Sequence, residues 1–245
     1  MMSILTREIQ YQDAQGTSLI GFFAAPKDAQ AVAGVIVAPE WWGRNEFTEQ
    51  QAIALAERGY AALAIDMYGD KKVTTTASQA NEWMMSTFEH SDTIVQRATA
   101  ALQCLANQTE VDATRLAAIG FCYGGKVVLD LARSGADVKA VATFHGNLST
   151  AAPVEQGKVK AEILVNHGEL DSMVTLDDVE QFRQEMQNAN VKHHINILQG
   201  AKHGFSNPLA DERAKANGVD LAYSETAAQN AFTACYDLLN RNLAK

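Results

Sequence analysis

The chain has 245 residues, of which 47% are hydrophobic and 20% charged, the composition of a soluble globular protein. Its net charge of −9, with no basic stripe, argues against nucleic acid as a partner. It contains no apolar run of 18 or more residues and no basic segment followed by an apolar one at the start, which argues against a membrane span or an export signal. The three cysteines lack the spacing of a disulfide framework, so we expect a cytoplasmic protein.

Short apolar runs alternate with helical patterns along the chain. The predicted strands are 4–12, 18–25, 34–38, 60–65, 116–120, 138–144, 163–166 and 193–198. The predicted helices are 48–58, 126–133, 176–189 and 224–240, together with a helical region over 78–106 that breaks near 90–92, where Asp92 is expected to cap a second helix.

Strands that read as unbroken apolar runs are typical of a parallel sheet buried on both faces. The pattern therefore predicts an α/β fold, a mostly parallel doubly wound sheet with helices on both faces and an antiparallel start. No repeat, low-complexity tract or linker divides the chain, so we predict a single domain over residues 1–245.

Cys122 occupies the centre of a Gly-x-Cys-x-Gly motif between a predicted strand and a predicted helix. This layout is typical of a nucleophile elbow, with cysteine where serine more often stands. The turn is so tight that Gly120 and Gly124 must lack side chains, and the start of the helix favours a thiolate. A buried cysteine beside glycines in a strand-to-helix turn is the alternative interpretation.

The partners that a cysteine hydrolase needs are present at later strand ends, where ligands bind in such sheets. The thiol needs a base, the base needs an acidic group that orients it, and the oxyanion needs hydrogen-bond donors. Asp171 follows the last strand but one, and His203 follows the last strand. The order Cys122, Asp171, His203 is that of nucleophile, acid and base in α/β-hydrolases.

Five motifs at the ends of predicted strands together carry a resemblance to a known family. They read Val-Ala-Pro-Glu-Trp-Trp-Gly at 37–43, Asp-Met-Tyr-Gly at 66–69, Gly-Phe-Cys-Tyr-Gly-Gly at 120–125, His-Gly-Glu-Leu-Asp at 167–171 and His-Gly-Phe at 203–205. In these motifs the chain resembles the dienelactone hydrolase family, over nearly its whole length from residue 34. The resemblance implies an α/β-hydrolase fold and hydrolysis of a carboxylic ester or lactone by a Cys122–His203–Asp171 triad through a thioester.

The resemblance also implies roles for residues near the triad. The backbone N–H groups of Trp41 and Tyr123 would hold the oxyanion. Glu40 would contact the resting thiol and take its proton when substrate displaces it, and a carboxylate beside a thiol disfavours the thiolate until then. An exposed loop acid is the alternative for Glu40.

The chain departs from the family where the substrate's carboxylate is bound. Dienelactone hydrolases use two arginines there, but the matching regions 69–72 and 204–207 contain none. Arg44, Lys71 or Lys72 are candidate substitutes, although lysine lacks the fork that suits a carboxylate. Trp42, His145 and Phe205 are the other candidate pocket residues, and the natural substrate stays open.

Other functions are less well supported by the sequence. The main alternative is a non-hydrolytic protein of the same fold, with Cys122 as a redox-sensing or ligand-binding thiol, whereas a serine esterase is excluded because the elbow has no serine. No histidines or cysteines have metal-site spacing, so we expect neither a metal nor a cofactor. We expect a monomer whose partner is a small ester or lactone, with segments 147–160 and 205–221 as candidate lids.

Overall fold

The structure is a computed structural model that describes residues 3–90 and 92–244. Its strands are β1 (Ile4–Gln12), β2 (Ser18–Pro26), β3 (Val32–Ala38), β4 (Ala61–Ala64), β5 (Val111–Phe121), β6 (Ala140–Phe144), β7 (Glu162–Gly168) and β8 (His193–Leu198). Its helices are α1 (Glu46–Ala56), α2 (Ala77–Ser86), α3 (Thr93–Ala106), α4 (Tyr123–Arg133), α5 (Leu176–Asn188), α6 (Ala210–Asn217) and α7 (Glu225–Leu243). Within these ranges, no helix combines the length and the apolar composition that crossing a membrane requires.

The strands form one sheet in the order β1-β2-β4-β3-β5-β6-β7-β8. β2 pairs antiparallel with both β1 and β4, and every later pair is parallel. The predicted mostly parallel sheet with an antiparallel start is therefore confirmed. Because β3 to β8 run in one direction, the loops that follow them meet at one edge of the sheet.

Two apolar layers cover the sheet, one on each face. Successive side chains of a strand point to opposite faces, so a strand such as β3 contributes to both layers. Ile36 and Ala38 pack in the layer under α3, α4 and α5, whereas Val35 and Val37 pack in the layer under α1 and α7. The helices on both faces that the sequence predicts are confirmed.

The local predictions differ from the structure in two places. Asp92 is the N-cap residue of α3, as predicted, but its backbone is helical and its side chain makes no capping hydrogen bond to the helix. The neighbouring Ser91 lies outside the described residues. Helix α6 was not predicted, because only Ala210 of its eight residues is buried and the sequence shows no apolar stripe.

Candidate active site

Cys122 lies at a strained turn between β5 and α4. Its φ of 52° and ψ of −115° are left-handed values that a residue with a Cβ atom rarely adopts. Helix α4 begins at the next residue, Tyr123, so Cys122 is the N-cap residue and lies at the positive end of the helix dipole.

The two glycines of the motif allow the turn for a steric reason. A Cβ atom on Gly120 would lie 2.0 Å from the carbonyl oxygen of Gly124. A Cβ atom on Gly124 would lie 2.3 Å from the carbonyl oxygen of Ala38, the last residue of β3. Both contacts are with backbone, which cannot move aside, and so the structure supports the expectation that these positions must lack side chains.

Asp171 and His203 form a buried pair at the ends of β7 and β8. Nδ1 of His203 lies 2.8 Å from Oδ2 of Asp171. The other carboxylate oxygen accepts hydrogen bonds of 2.9 Å from the N–H groups of Met173 and Val174. Burial raises the pKa of Asp171, but the hydrogen bond and charge of His203 and these N–H groups lower it more, so the group stays ionised.

The other ring nitrogen of His203 is the atom that the predicted triad would use at the thiol. This atom, Nε2, is buried and has no hydrogen-bond partner among the described residues, and His203 lines the same cavity as Cys122. Burial lowers the pKa of His203, but its interactions with Cys122 and Asp171 raise it more, to about 10. An imidazole in this position can take a proton from the thiol and hold it.

Aromatic side chains support the two segments that carry the expected oxyanion donors. The hydroxyl of Tyr68 donates to the carbonyl oxygen of Trp41 at 3.0 Å, which anchors the segment after β3. The ring of Tyr68 stacks on that of Tyr123, with centroids 5.9 Å apart. The hydroxyl of Tyr123 lies 2.8 Å from that of Thr87, so both segments are attached to one buried cluster.

Glu40 is buried near the site, and its hydrogen bond goes to an amide and not to Cys122. Nδ2 of Asn207 donates to Oε2 of Glu40 at 2.6 Å. Burial raises the pKa of Glu40, against the opposing charge of Arg213 and the bond from Asn207. The guanidinium of Arg213 lies 4.6 Å from the ring centroid of Trp42. The sequence analysis missed Asn207 and Arg213, and the only signal for Asn207 was its place in the loop after His203.

A small cavity of about 160 Å³ opens at the thiol. It is lined by Trp41, Met84, Cys122, Tyr123, Asn147, Met173, Val174, His203 and Leu221. Most of its non-catalytic residues were not predicted, because they come from separate loops and helices and carry no motif. Asn147 and Leu221 belong to segments 147–160 and 205–221, so both candidate lids reach the site, while their movement stays a prediction.

Arg44 and Lys71, proposed above as substrate-binding cations, are not brought to this cavity. The buried guanidinium of Arg44 binds Glu8 at 2.8 Å and Glu49 at 2.5 Å. Nζ of Lys71 binds the same oxygen of Glu8 at 2.8 Å. Glu8 lies on β1, 36 positions from Arg44 and 63 from Lys71, and this is why the sequence did not reveal that both cations share it.

Three further candidate pocket residues are buried beside the cavity and not in its lining. Trp42 packs against a guanidinium, as described above, and Phe205 packs edge-on against His145 at 5.0 Å between centroids. Nε2 of His145 lies 2.8 Å from the hydroxyl of Ser206, and its ring lies 5.1 Å from that of His203. Burial holds the pKa of His145 well below its usual value, so a neutral ring packs against His203.

Known proteins of one family are similar to this chain over most of its length. The model of the dienelactone hydrolase family matches residues 19–243. A curated Bradyrhizobium sp protein named "Probable 2-oxo-3-(5-oxofuran-2-ylidene)propanoate lactonase" is 27% identical over 227 residues, which cover 89% of this chain and 87% of that protein.

Two solved structures are similar over almost their whole length. The dienelactone hydrolase-like promiscuous phosphotriesterase P91, from metagenomic libraries, is 34% identical with a TM-score of 0.91, over 99% of this chain and 100% of that one. A structure named m3DLH is 35% identical with a TM-score of 0.92, over 98% and 99%. These matches confirm the predicted fold and, at the level of the family, the predicted class of ester or lactone hydrolase. The chain therefore belongs to the dienelactone hydrolase family.

Proposed function

We propose that the chain hydrolyses a carboxylic ester or lactone with a Cys122–His203–Asp171 triad, through a thioester intermediate. The observation that carries this proposal is the buried His203–Asp171 bond of 2.8 Å at a cavity shared by His203 and Cys122. Each group has one role in the proposal: the thiol attacks, the imidazole moves the proton, and the carboxylate orients the imidazole.

The first half of the reaction forms the thioester. The proton of Cys122 passes to Nε2 of His203 as sulfur attacks the carbonyl carbon, and the backbone N–H groups of Trp41 and Tyr123 receive the oxyanion. The C–O bond then breaks, and the leaving alkoxide takes the proton from His203. In a lactone the alcohol stays attached to the acyl group.

The second half regenerates the enzyme. His203 takes a proton from water, whose oxygen attacks the thioester carbon. The C–S bond breaks as the tetrahedral intermediate collapses, and the sulfur recovers its proton from the imidazole. An ester therefore gives an acid and an alcohol, and a lactone gives one hydroxy acid.

The expected contact of Glu40 with the resting thiol stays a prediction. Oε2 of Glu40 accepts a hydrogen bond from Asn207, so Oε1 is the oxygen that would meet the thiol. Its raised pKa, caused by burial, would suit a group that accepts a proton.

Hydrolysis of 4-nitrophenyl acetate by the wild type and by Cys122→Ala tests the proposal. We expect turnover by the wild type, a transient acetyl adduct in its intact mass, and loss of both in Cys122→Ala, with a fall in kcat of about 1,000-fold or more. Cys104→Ala is the matched control, since it removes a partly buried thiol in α3 that the mechanism does not use.

The same measurements separate the hydrolase from the alternative in which Cys122 is a redox-sensing thiol. A wild type that forms a sulfenic acid with peroxide, and neither turns over nor acylates with esters, would contradict the hydrolase and favour that alternative.

Hydrolysis of a neutral phosphotriester is a second candidate function. It is favoured by the 34% identity with the phosphotriesterase P91 over 99% of this chain. Release of 4-nitrophenol from diethyl 4-nitrophenyl phosphate, lost in Cys122→Ala, would support it, and no release above the uncatalysed rate would contradict it.

A further inference from the structure

The cavity at Cys122 has an apolar wall. Apart from Cys122, Tyr123 and His203, its lining consists of Trp41, Met84, Met173, Val174, Leu221 and the amide of Asn147. The carbonyl oxygen of that amide accepts hydrogen bonds from the N–H and hydroxyl groups of Ser149 at 2.9 and 2.8 Å. Among the described residues, the lining therefore includes no carboxylate, no guanidinium and no ammonium group, and the imidazole of His203 is already paired with Asp171.

Three of the cations close to the site in sequence are paired with acids of the protein, and a fourth, Lys72, is exposed and does not line the cavity. Arg44 and Lys71 bind Glu8, as described above. Lys202, which precedes His203, binds Asp220 at 2.7 Å.

Arg213, in helix α6, also interacts with an acidic group of the protein. The charges of Arg213 and Glu40 each shift the pKa of the other, and the guanidinium packs over Trp42. A substrate carboxylate would have to displace one of these acids before it could pair with Arg44, Lys71, Lys202 or Arg213.

Physical chemistry then separates neutral from anionic substrates. Burial of a neutral polar group without a hydrogen-bond partner costs on the order of 2–7 kcal/mol of solvation free energy. Burial of an unpaired carboxylate costs more, because the group is charged. The net charge of −9 also repels an approaching anion. An apolar cavity of about 150 Å³ holds a benzene ring, so the 160 Å³ found here fits one small ring or a short alkyl chain.

We infer that this site takes neutral esters or lactones with a small apolar group, and that it discriminates against substrates with a carboxylate on that group. The inference rests on the proposed hydrolase function and names its substrate class. It also accounts for the missing pair of arginines: the cavity does not need them.

Two matched esters test the inference. 4-Nitrophenyl butyrate and mono-4-nitrophenyl succinate have the same leaving group and nearly the same length, but the succinate carries a carboxylate where the butyrate carries a methyl group. We expect kcat/KM for the butyrate to exceed that for the succinate by at least ~100-fold, after subtraction of the uncatalysed rate. We also expect kcat/KM to fall from butyrate to octanoate, because the longer chain exceeds the cavity.

A single cation at the mouth of the cavity should shift this preference. Met173 lines the cavity and is 44% exposed, so Met173→Lys can keep its ammonium group in water. We expect the butyrate-to-succinate ratio to fall by about 10-fold or more in Met173→Lys. The neutral Met173→Gln should keep the preference for butyrate, and so should Met85→Lys, which adds the same charge at an exposed site outside the lining.

The possible outcomes separate failure of the inferred substrate preference from failure of the proposed hydrolase function. If the wild type hydrolyses neither ester, the proposed function fails, and the inference fails with it. If it hydrolyses both with a ratio near one, or prefers the succinate, the inference alone is overturned. Loss of a succinate preference in Arg213→Met would then identify Arg213 as the cation that binds the carboxylate. The wild-type ratio decides the question even if a variant fails to fold.

Discussion

The conformation of Cys122 is held by the backbone around it. Its N–H donates to the carbonyl oxygen of Phe144 at 3.0 Å, and its own carbonyl oxygen accepts from the N–H groups of Gly125 at 3.0 Å and Asn147 at 3.2 Å. A residue forced into such a conformation costs about 1–3 kcal/mol. Placing the thiol at the end of the sheet therefore uses part of the stability of the fold.

Release of this strain is measurable by comparison of Cys122→Gly with Cys122→Ala. Both variants lack the thiol, but glycine adopts φ of +52° without a Cβ penalty. We expect Cys122→Gly to have the larger free energy of unfolding, by about 1 kcal/mol, in urea denaturation. At Cys104, inside helix α3, we expect the opposite: Cys104→Ala should have a larger free energy of unfolding than Cys104→Gly, because a helix favours alanine over glycine by about 1 kcal/mol. The same order at both sites would contradict strain at Cys122.

The elbow is an element in which three segments meet at van der Waals contact. Gly124 approaches the carbonyl of Ala38, and a Cβ on Gly125 would lie 2.5 Å from the Cα of Gly146, so β3, α4 and the loop after β6 touch through backbone. This approach brings the Trp41 segment and the start of α4 to the same thiol. Their closeness explains how two N–H groups distant in sequence could face one oxyanion.

Gly124→Ala should therefore be costly. Its Cβ would meet a carbonyl oxygen at 2.3 Å, and overpacking against backbone of this kind costs about 3 kcal/mol or more. Gly157→Ala is the control, because its Cβ would meet nothing within 4 Å and only its φ of +80° opposes alanine, at about 1–2 kcal/mol. Equal losses in urea denaturation would show that the elbow is less tight than described.

At the scale of the whole molecule, a buried carboxylate of the sheet binds the last helix, in addition to the apolar contacts of that helix. Glu162 at the start of β7 accepts hydrogen bonds of 2.7 Å from Arg241 and 3.0 Å from Asn242, both in α7, and it pairs with Lys192 at 2.8 Å. Burial raises the pKa of Glu162, but these partners lower it more, to about 2, against an ordinary value of 4.5.

This shift predicts a pH dependence of stability. Because the pKa is lowered in the folded state, the stabilisation is present above pH 4.5 and is lost as the pH falls towards 2. We expect Glu162→Gln to reduce the free energy of unfolding by about 2–3 kcal/mol at pH 7, and by less as the pH falls below 4.5. Glu180→Gln removes an exposed acid of α5 and should cost less than about 0.5 kcal/mol at either pH. A difference for Glu162→Gln that stays constant from pH 7 to 3 would contradict the assignment.

The fold was predictable because its signals are local. Apolar runs without interruption occur only where a strand is buried on both faces, and glycines at 120 and 124 leave few alternatives to an elbow. Helix α6 gave no such signal, because it is a polar helix in which only Ala210 is buried.

The sequence by itself determined the family of chemistry: which residues at the strand ends can act as nucleophile, base and acid, and in what order they occur. Parallel strands bring their ends together whatever the details of packing, so order along the chain is enough to bring Asp171 to His203. Only the tertiary structure decided which charges stay available at the site. Arg44 and Lys71 are bound by Glu8, and Glu40 is bound by Asn207, 167 positions away. Such pairs depend on side chains from distant elements meeting in space, because no local pattern in the chain specifies a hydrogen-bond partner across the fold.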